Sequence, residues 1–395
     1  MAPRGFVSVC CAVALVLVLA PTCLAGRVVS VGYRSPSALR GLQVLAKVAP
    51  LHIAEVASSH LGALRTRPGI RWIRGTVARR HLGELHVAGP SRATAEWEYT
   101  ATRANLVPPS VQRAAASITI AVVDTGADVS VPNIAAKSPT TYNVTTADDR
   151  VSDATGHGTF VASVAAGSVE SGDVLQGFGG DAKLMIVQAN RGADAFNDVD
   201  EAAGIVWAVD HGAQIVNLSI GGAQTSPVER EAIRYALSHG ALVVAAAGNT
   251  GQGGNVRSYP AALVGAKGLA VASTTSTGNR APFSTAARYV SLAAPGVRVL
   301  GATTADASRS AFPRAAVGTD GVYAYGTGTS YSAPQVSGAA ALVWAADPSL
   351  TAAGVVRILE ETATGGGEWN PGTGYGLLDV AAAVARAQGL PAPRR

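Results

Sequence analysis

ITIAVVD (118–124), KLMIVQAN (183–190), QIVNLSI (214–220), ALVVAAAGN (241–249) and LAVAST (269–274) decide how this chain folds. Each is a short, nearly uninterrupted apolar run, the composition of a strand buried on both faces of a parallel sheet. Helical stretches stand between them, among them NDVDEAAGIVWAVDHG (197–212) and SPVEREAIRYALSHG (226–240). The second announces its own start, with Ser226 as N-cap, Pro227 in the first turn and Glu229 completing a capping box. Gly212 and Gly240 close the two helices. The alternation predicts an α/β fold, an open parallel sheet flanked by helices on both faces. In such sheets the active site lies beyond the carboxyl ends of the strands.

Working outward, the 395 residues are 48% hydrophobic and 14% charged, which excludes a disordered chain. No repeat at a fixed period is present. Residues 1–25 read as a secretory signal peptide: Arg4, an apolar run from Phe6 to Ala20, then small residues at Cys23 and Ala25. That run is too short to span a membrane. All three cysteines, Cys10, Cys11 and Cys23, fall inside the signal peptide. The mature chain is therefore expected to have no disulfide, no cysteine nucleophile and no thiolate metal site. Residues 27–95 hold eleven Lys/Arg against two Asp/Glu, and residues 96–395 hold nineteen against twenty-four. Adjoining segments of opposite sign are expected to dock on each other. Within the basic segment VVSVGY (28–33) and LHIAEV (51–56) read as strands, PSALRGLQVL (36–45) and SSHLGALRTRPG (58–69) as short helices, and IRWIRGTVARR (70–80) as one half-buried strand.

The chemistry narrows by elimination. Of seven histidines, His52, His60, His81 and His86 lie in the basic segment and read as surface residues. His211 and His239 each precede a helix-ending glycine, where a cation suits the last turn. Only His157, in DATGHGTFVASVAAG (153–167), remains as a general base in the main body. A histidine base needs a carboxylate to fix its tautomer. Asp124 ends an apolar strand where an unpartnered charge would be costly, whereas Asp128 reads as a turn residue. Ser330, in GTGTSYSAPQVSGAAALVW (326–344), sits where a Gly-rich turn enters a helix, so its own N–H faces a developing oxyanion. The order Asp, His, Ser differs from the Ser, acid, His order of α/β-hydrolases, and GTSYS lacks their G-x-S-x-G elbow.

That order, with intervals of 33 and 173 residues, resembles the subtilase family. VVDTG (122–126), GHGTFVAS (156–163), NLSIGG (217–222), AAAGN (245–249) and GTSYSAP (328–334) resemble its signature blocks in sequence, and YGLLDVAAAV (375–384) its last segment. The resemblance implies a subtilisin-like fold and a serine endopeptidase with Asp124, His157 and Ser330 as its triad. It implies Asn249 as second oxyanion donor, and Ser219, Ile220 and Gly221 as the edge that pairs with substrate backbone. It also implies a small α+β ferredoxin-like propeptide that assists folding, occupies the active site and is removed. The domains expected are a signal peptide over 1–25, a propeptide over 26–100, and a peptidase domain over 101–395. The cut is expected near 90–105, where TATRANLVPP (100–109) could begin the mature enzyme.

Three departures accompany the resemblance. Phe160 stands for the second histidine of the family's HGTH block, and Tyr331 follows the serine where the best-known members carry Met. GSVESGDVLQGFGG (167–180) replaces an Asn-bearing loop that binds calcium in many relatives, so no metal or other cofactor is expected. The specificity pocket is expected near Ala245–Gly248 and the residues leading to Tyr259-Pro260, narrowed by Arg257 and Ser258. The partners expected are protein or peptide substrates and the chain's own propeptide as intramolecular inhibitor. Nucleic acid and, for the mature form, membrane are not expected, and the enzyme reads as a monomer. Two other readings stand beside this one: a narrow-specificity maturation protease for one precursor, and a catalytically silent binding protein on the same fold.

Overall fold

A computed structural model describes residues 27–82, 96–169, 175–192, 195–315 and 322–393. The expected signal peptide lies outside the described residues, as do residues 83–95, into which the expected cut partly falls, and residues 170–174 of the replaced loop.

The basic segment forms strands β1 (Arg27–Tyr33), β2 (Gln43–Val48), β3 (Ile53–Ser58) and β4 (Ile70–Gly75) in one antiparallel sheet of order β2-β3-β1-β4. This is the strand order of a ferredoxin-like split βαβ unit. Its connections are short: a 3₁₀ turn over Pro36–Leu39 and a helix over Leu61–Arg65. The stretch PSALRGLQVL is thus not one helix. Gly41, at φ +74°, breaks it, and QVL opens β2. IRWIRGTVARR is likewise not one strand. β4 ends at Gly75, and β5 (Ala78–His81) leaves the sheet to join the main body.

The body contributes β6 (Thr119–Asp124), β7 (Thr140–Asn143), β8 (Lys183–Gln188), β9 (Phe196–Asn197), β10 (Ile215–Leu218), β11 (Ile220–Gly221), β12 (Leu242–Ala246), β13 (Leu269–Thr274) and β14 (Leu292–Pro295). Seven of these build a sheet of order β14-β13-β12-β10-β6-β8-β7 in which every pairing is parallel. Alternate residues of each strand face opposite layers. Ile120, Val122, Leu184, Ile186, Leu242 and Val244 share a core with the helices His157–Ala166 and Thr329–Ala346. Ala121, Val123, Met185, Val187, Val216, Val243 and Ala245 share another with the helices Asp198–Asp210 and Pro227–Ser238. Each large aliphatic side chain so buried contributes about 1.5–3 kcal/mol. No helix among the described residues is long and apolar enough to cross a membrane.

The basic unit docks on the second of these helix layers, with Arg71 of the unit 3.9 Å from Glu231 of the body in the sense its charge anticipates. Val48 and Ile53 enter the apolar cluster of that layer, and Arg191 of the body pairs with Glu55 at 2.6 Å. The boundary expected at residue 100 cuts through a piece of the body. In the helix Trp97–Ala101, Trp97 Nε1 donates to Arg298 O (3.2 Å), Glu98 Oε1 accepts from Leu300 N (2.7 Å), and Tyr99 packs edge-on against Phe178.

Just before this helix, the Glu96 carboxylate accepts from Gln176 N at 2.8 Å, and burial pushes its pKa up to about 8. From about pH 4.5, the ordinary Glu value, to about pH 8 the folded chain holds a proton that the unfolded chain has lost. Stability therefore falls as pH rises through that window. Glu96→Gln keeps an acceptor and removes the titration. Its Tm, scanned from pH 5 to pH 8.5, is expected to decline less steeply than that of the native chain. Identical slopes would exclude Glu96 as a source.

Candidate active site

The polar residues emerge where the buried strands end. Asp124 is the last residue of β6, and its Oδ1 lies 2.7 Å from His157 Nδ1, with both side chains fully buried. The same oxygen accepts from Thr125 N at 2.7 Å. A carboxylate can only accept here, so Nδ1 carries the proton and the His157 Nε2 lone pair faces away from Asp124.

His157 opens its helix, and Asp153 holds that opening in place. Asp153 Oδ1 accepts from Thr125 Oγ1 (2.9 Å), Thr155 Oγ1 (3.0 Å), Thr155 N (3.2 Å) and Gly156 N (2.9 Å). Its Oδ2 accepts from Thr159 N (2.8 Å) and Thr159 Oγ1 (2.6 Å). One buried carboxylate thus ties the end of β6 to the start of the histidine helix. Gly156, at φ +82°, admits no side chain, since a Cβ there would lie 2.1 Å from Thr303 Oγ1. Along the chain Asp153 looks like any polar residue of a turn, and its role emerges only from the donors gathered around it.

Ser330 is the second residue of the helix Thr329–Ala346, and its hydroxyl donates to Ser219 O at 2.8 Å. Ser219 Oγ donates in turn to Ser330 O at 2.8 Å. Asn249 follows β12. Its Oδ1 accepts from Thr329 N (3.0 Å) and Thr329 Oγ1 (2.9 Å), which fixes the amide with its NH₂ turned toward Ser330. Ser330 N–H and Asn249 Nδ2 converge on one atom, the carbonyl oxygen of Leu82, at 3.2 and 2.6 Å.

Leu82 arrives there on the strand that left the basic unit. β5 lies between β11 and β9 in a small antiparallel sheet, with His81 opposite Ile220 and Arg80 opposite Gly221. Leu82 N donates to Ser219 O at 3.1 Å. The edge Ser219–Gly221 therefore pairs with backbone from this chain. The Leu82 side chain is buried beside Gly221, where an added Cβ would lie 2.8 Å from Leu82 Cδ1. Arg80, Leu82, Gly221, Gly248, Asn249 and Ser258 surround a remaining space of about 70 Å³. Of the expected specificity pocket, Gly248, Arg257 and Ser258 line this space, whereas Ala245 and Ala246 belong to buried β12. A wider cavity of about 740 Å³ lies away from this chemistry, between β2 and the helix Asp198–Asp210.

His81 departs from its expected surface position: its ring stacks on His157 at 4.4 Å between centroids. His211 and His239 sit as expected, each with Nδ1 on the carbonyl four residues back. The two aromatic departures meet each other, the Phe160 and Tyr331 rings lying 4.6 Å apart, with Tyr331 also against His157 at 5.6 Å. Glu229 departs from its expected role as well. Ser226 Oγ caps the helix by accepting from Glu229 N, but the Glu229 carboxylate turns to Arg79 and Thr225. Among the described residues, no three His, Cys, Asp or Glu side chains gather as metal ligands.

Comparison with known proteins accords with this geometry. A profile of the Subtilase family matches residues 115–376. Subtilisin Savinase of Lederbergia lenta is 35% identical over 268 residues, covering 68% of this chain and 90% of that protein. A probable subtilase-type serine protease of Deinococcus radiodurans is 35% identical over 257 residues, 63% of this chain, and the match spans only 34% of its length. Among solved structures, fervidolysin from Fervidobacterium pennivorans, described as a keratinolytic enzyme related to subtilisin, superposes with a TM-score of 0.78 at 25% identity. The superposition covers 94% of this chain and 62% of that one.

The hydrogen bonds of Asp153 make a direct prediction. Asp153→Asn replaces one acceptor oxygen by an NH₂ group facing N–H and O–H donors, at a cost of about 2–4 kcal/mol. Calorimetry is expected to show a Tm lower by roughly 3–5 °C. A loss below about 1 °C would show that the turn does not rest on this carboxylate.

Proposed function

The chain belongs to the subtilase family of serine peptidases, and on that premise we propose that it is a secreted endopeptidase, made as a zymogen that cuts itself after Leu82. The observation that carries this reading is the Leu82 carbonyl, held by two N–H donors beside Ser330, where a scissile carbonyl would sit. Strand pairing on both sides of β5 supports reading residues 78–82 as bound substrate backbone.

The chemistry follows from the geometry. For attack, the Ser330 hydroxyl gives up the Ser219 carbonyl and passes its proton to His157 Nε2, while Oγ bonds to the carbonyl carbon. Asp124 keeps Nδ1 protonated and stabilises the imidazolium that forms. The negative charge develops on an oxygen already aimed at Ser330 N–H and Asn249 Nδ2, so no donor must reorganise. His157 then protonates the departing amine, the peptide C–N bond breaks, and an acyl ester on Ser330 remains. Water, deprotonated by His157, hydrolyses the ester to release the acid and restore the serine.

In this reading the basic unit is the propeptide, the inhibitor that fills the cleft until it leaves. Removing it takes away the charge excess that would otherwise favour nucleic acid. The apolar leader directs the chain out of the cell, the mature enzyme works as a monomer free of membrane, and its substrates are proteins or peptides. The cut after Leu82 stands in place of the expected window near 90–105, because the register at Ser330 is defined by Leu82.

Two measurements test this. The chain expressed from Arg27 is expected to split, and the larger early fragment to begin Gly83-Glu84-Leu85, whereas Ser330→Ala stays whole. A different first cut in the native chain would move the register, and identical behaviour of both chains would end the self-processing reading. Thr329→Val removes the hydroxyl that helps orient Asn249. It is expected to lower kcat about tenfold with little change in KM, equivalent to about 1.4 kcal/mol of oxyanion stabilisation. An unchanged kcat would show that Thr329 does not position the amide.

A further inference from the structure

The body contains a second buried polar cluster, and a side chain of β5 fills it. Arg79 is only 3% exposed. Its Nε lies 3.0 Å from both Glu201 Oε2 and Glu229 Oε1, and its Nη2 lies 2.7 Å from Glu229 Oε1. Nη1 donates to Ala78 O at 3.0 Å. The side chains of Arg79, Glu201 and Glu229 are all fully buried. Glu201 comes from the helix Asp198–Asp210 and Glu229 from the first turn of the helix Pro227–Ser238, so the body alone supplies both acids. Thr225 Oγ1 donates to Glu229 Oε2 at 2.9 Å and steadies it.

Register turns this cluster into a subsite. Leu82 presents its carbonyl to Ser330 and Asn249, so Arg79 is the fourth residue counted back from the scissile bond, with Leu82 as the first. Side chains along β5 alternate as a strand requires: Arg79 is buried, Arg80 exposed, and His81 turns back onto His157. Any peptide that pairs with Ile220 and Gly221 and places its carbonyl in the same position delivers its fourth side chain between Glu201 and Glu229. We propose that these two carboxylates form a specificity pocket that selects arginine at the fourth position before the cleaved bond, in substrates as in the chain's own processing site. The inference rests on the peptidase reading above and deepens it by naming the substrate class.

The physics favours arginine in two ways. A guanidinium offers several N–H donors in a fixed plane and can meet two acids at once, while a lysine ammonium reaches them as a single point. An apolar side chain would cover two carboxylates without neutralising either, so the pocket rejects it as well as failing to hold it. The exposed third position imposes no comparable demand.

The test uses the native chain after it has released its basic unit. Acetyl-Xaa-Ala-His-Leu p-nitroanilides are compared with Xaa as arginine, lysine, citrulline or alanine; citrulline keeps the shape of arginine without its charge. kcat/KM for arginine is expected to exceed that for citrulline and alanine by about 30-fold or more, with lysine between. Glu201→Gln with Glu229→Gln is expected to collapse the ratio toward one. Rates within about threefold across the native series would overturn the pocket while leaving the peptidase reading intact. The pocket is equally overturned if a fluorophosphonate labels Ser330 but the arginine peptide is not cleaved. Absence of both labelling and hydrolysis would take down the peptidase reading and this inference together.

Discussion

Burial of the central sheet on both faces is the constraint from which the rest follows. With helices packed above and below, residues of β6, β8, β10 and β12 have no solvent to turn toward along their length. A charged or amide side chain is costly there unless it finds partners, as Asn217 within β10 does with Ser219 and Ser337, and most of the polar groups gather where a strand stops. Asp124 stands at the end of β6, Ser219 just beyond β10, and Asn249 just beyond β12, all at the carboxyl rim. The helices bearing His157 and Ser330 begin at the same rim, so five polar groups from distant parts of the chain meet in one cluster, buried except for the half-buried Asn249. Each is held by a neighbour that leaves it little freedom: Asp124 by Thr125 N, the His157 turn by Asp153, and Asn249 by Thr329.

The basic N-terminal unit uses that rim as its docking surface. Its own sheet rests on one helix layer, but what fixes its register is β5, a strand that belongs to the body's architecture more than to its own. Arg79 and Leu82 anchor β5 three residues apart, one between two carboxylates and one against two N–H donors. Buried charges of this kind are costly unless paired, so the pocket acids and the arginine depend on each other. A unit rich in arginine facing an acidic body is consistent with that dependence, although most of its charges remain at the surface, where they contribute little.

The packing behind His157 shows a related dependence. Phe160 and Tyr331 contact each other, and Gly301 and Gly326 lie directly against their rings, with no room for a Cβ. The aromatic side chains and the two glycines fill one volume together, and close packing makes each residue's size conditional on its neighbours. Two departures from the family pattern, which look independent along the chain, are therefore one feature of the core.

By itself, the order of residues determined the buried strands, the helix caps at Ser226, Gly212 and Gly240, the order Asp124, His157, Ser330, and the split of charge. These are carried by local composition and periodicity, which neighbouring residues express without reference to the rest of the chain. The edge strands β7 and β14 do not announce themselves in that way, because β7 reads TTYN, a polar and partly exposed stretch, and β14 reads LAAP and ends in a proline. Only the tertiary structure decided that IRWIRGTVARR divides, that His81 leaves the surface to stack on His157, and that the Glu229 carboxylate turns to Arg79. Arg79 meets Glu201 and Glu229 across 122 and 150 residues. Nothing beside either partner in sequence encodes such a contact. A glutamate in the first turn of a helix satisfies the rules of a cap whichever way its carboxylate points, and only the strand laid against it settles the direction.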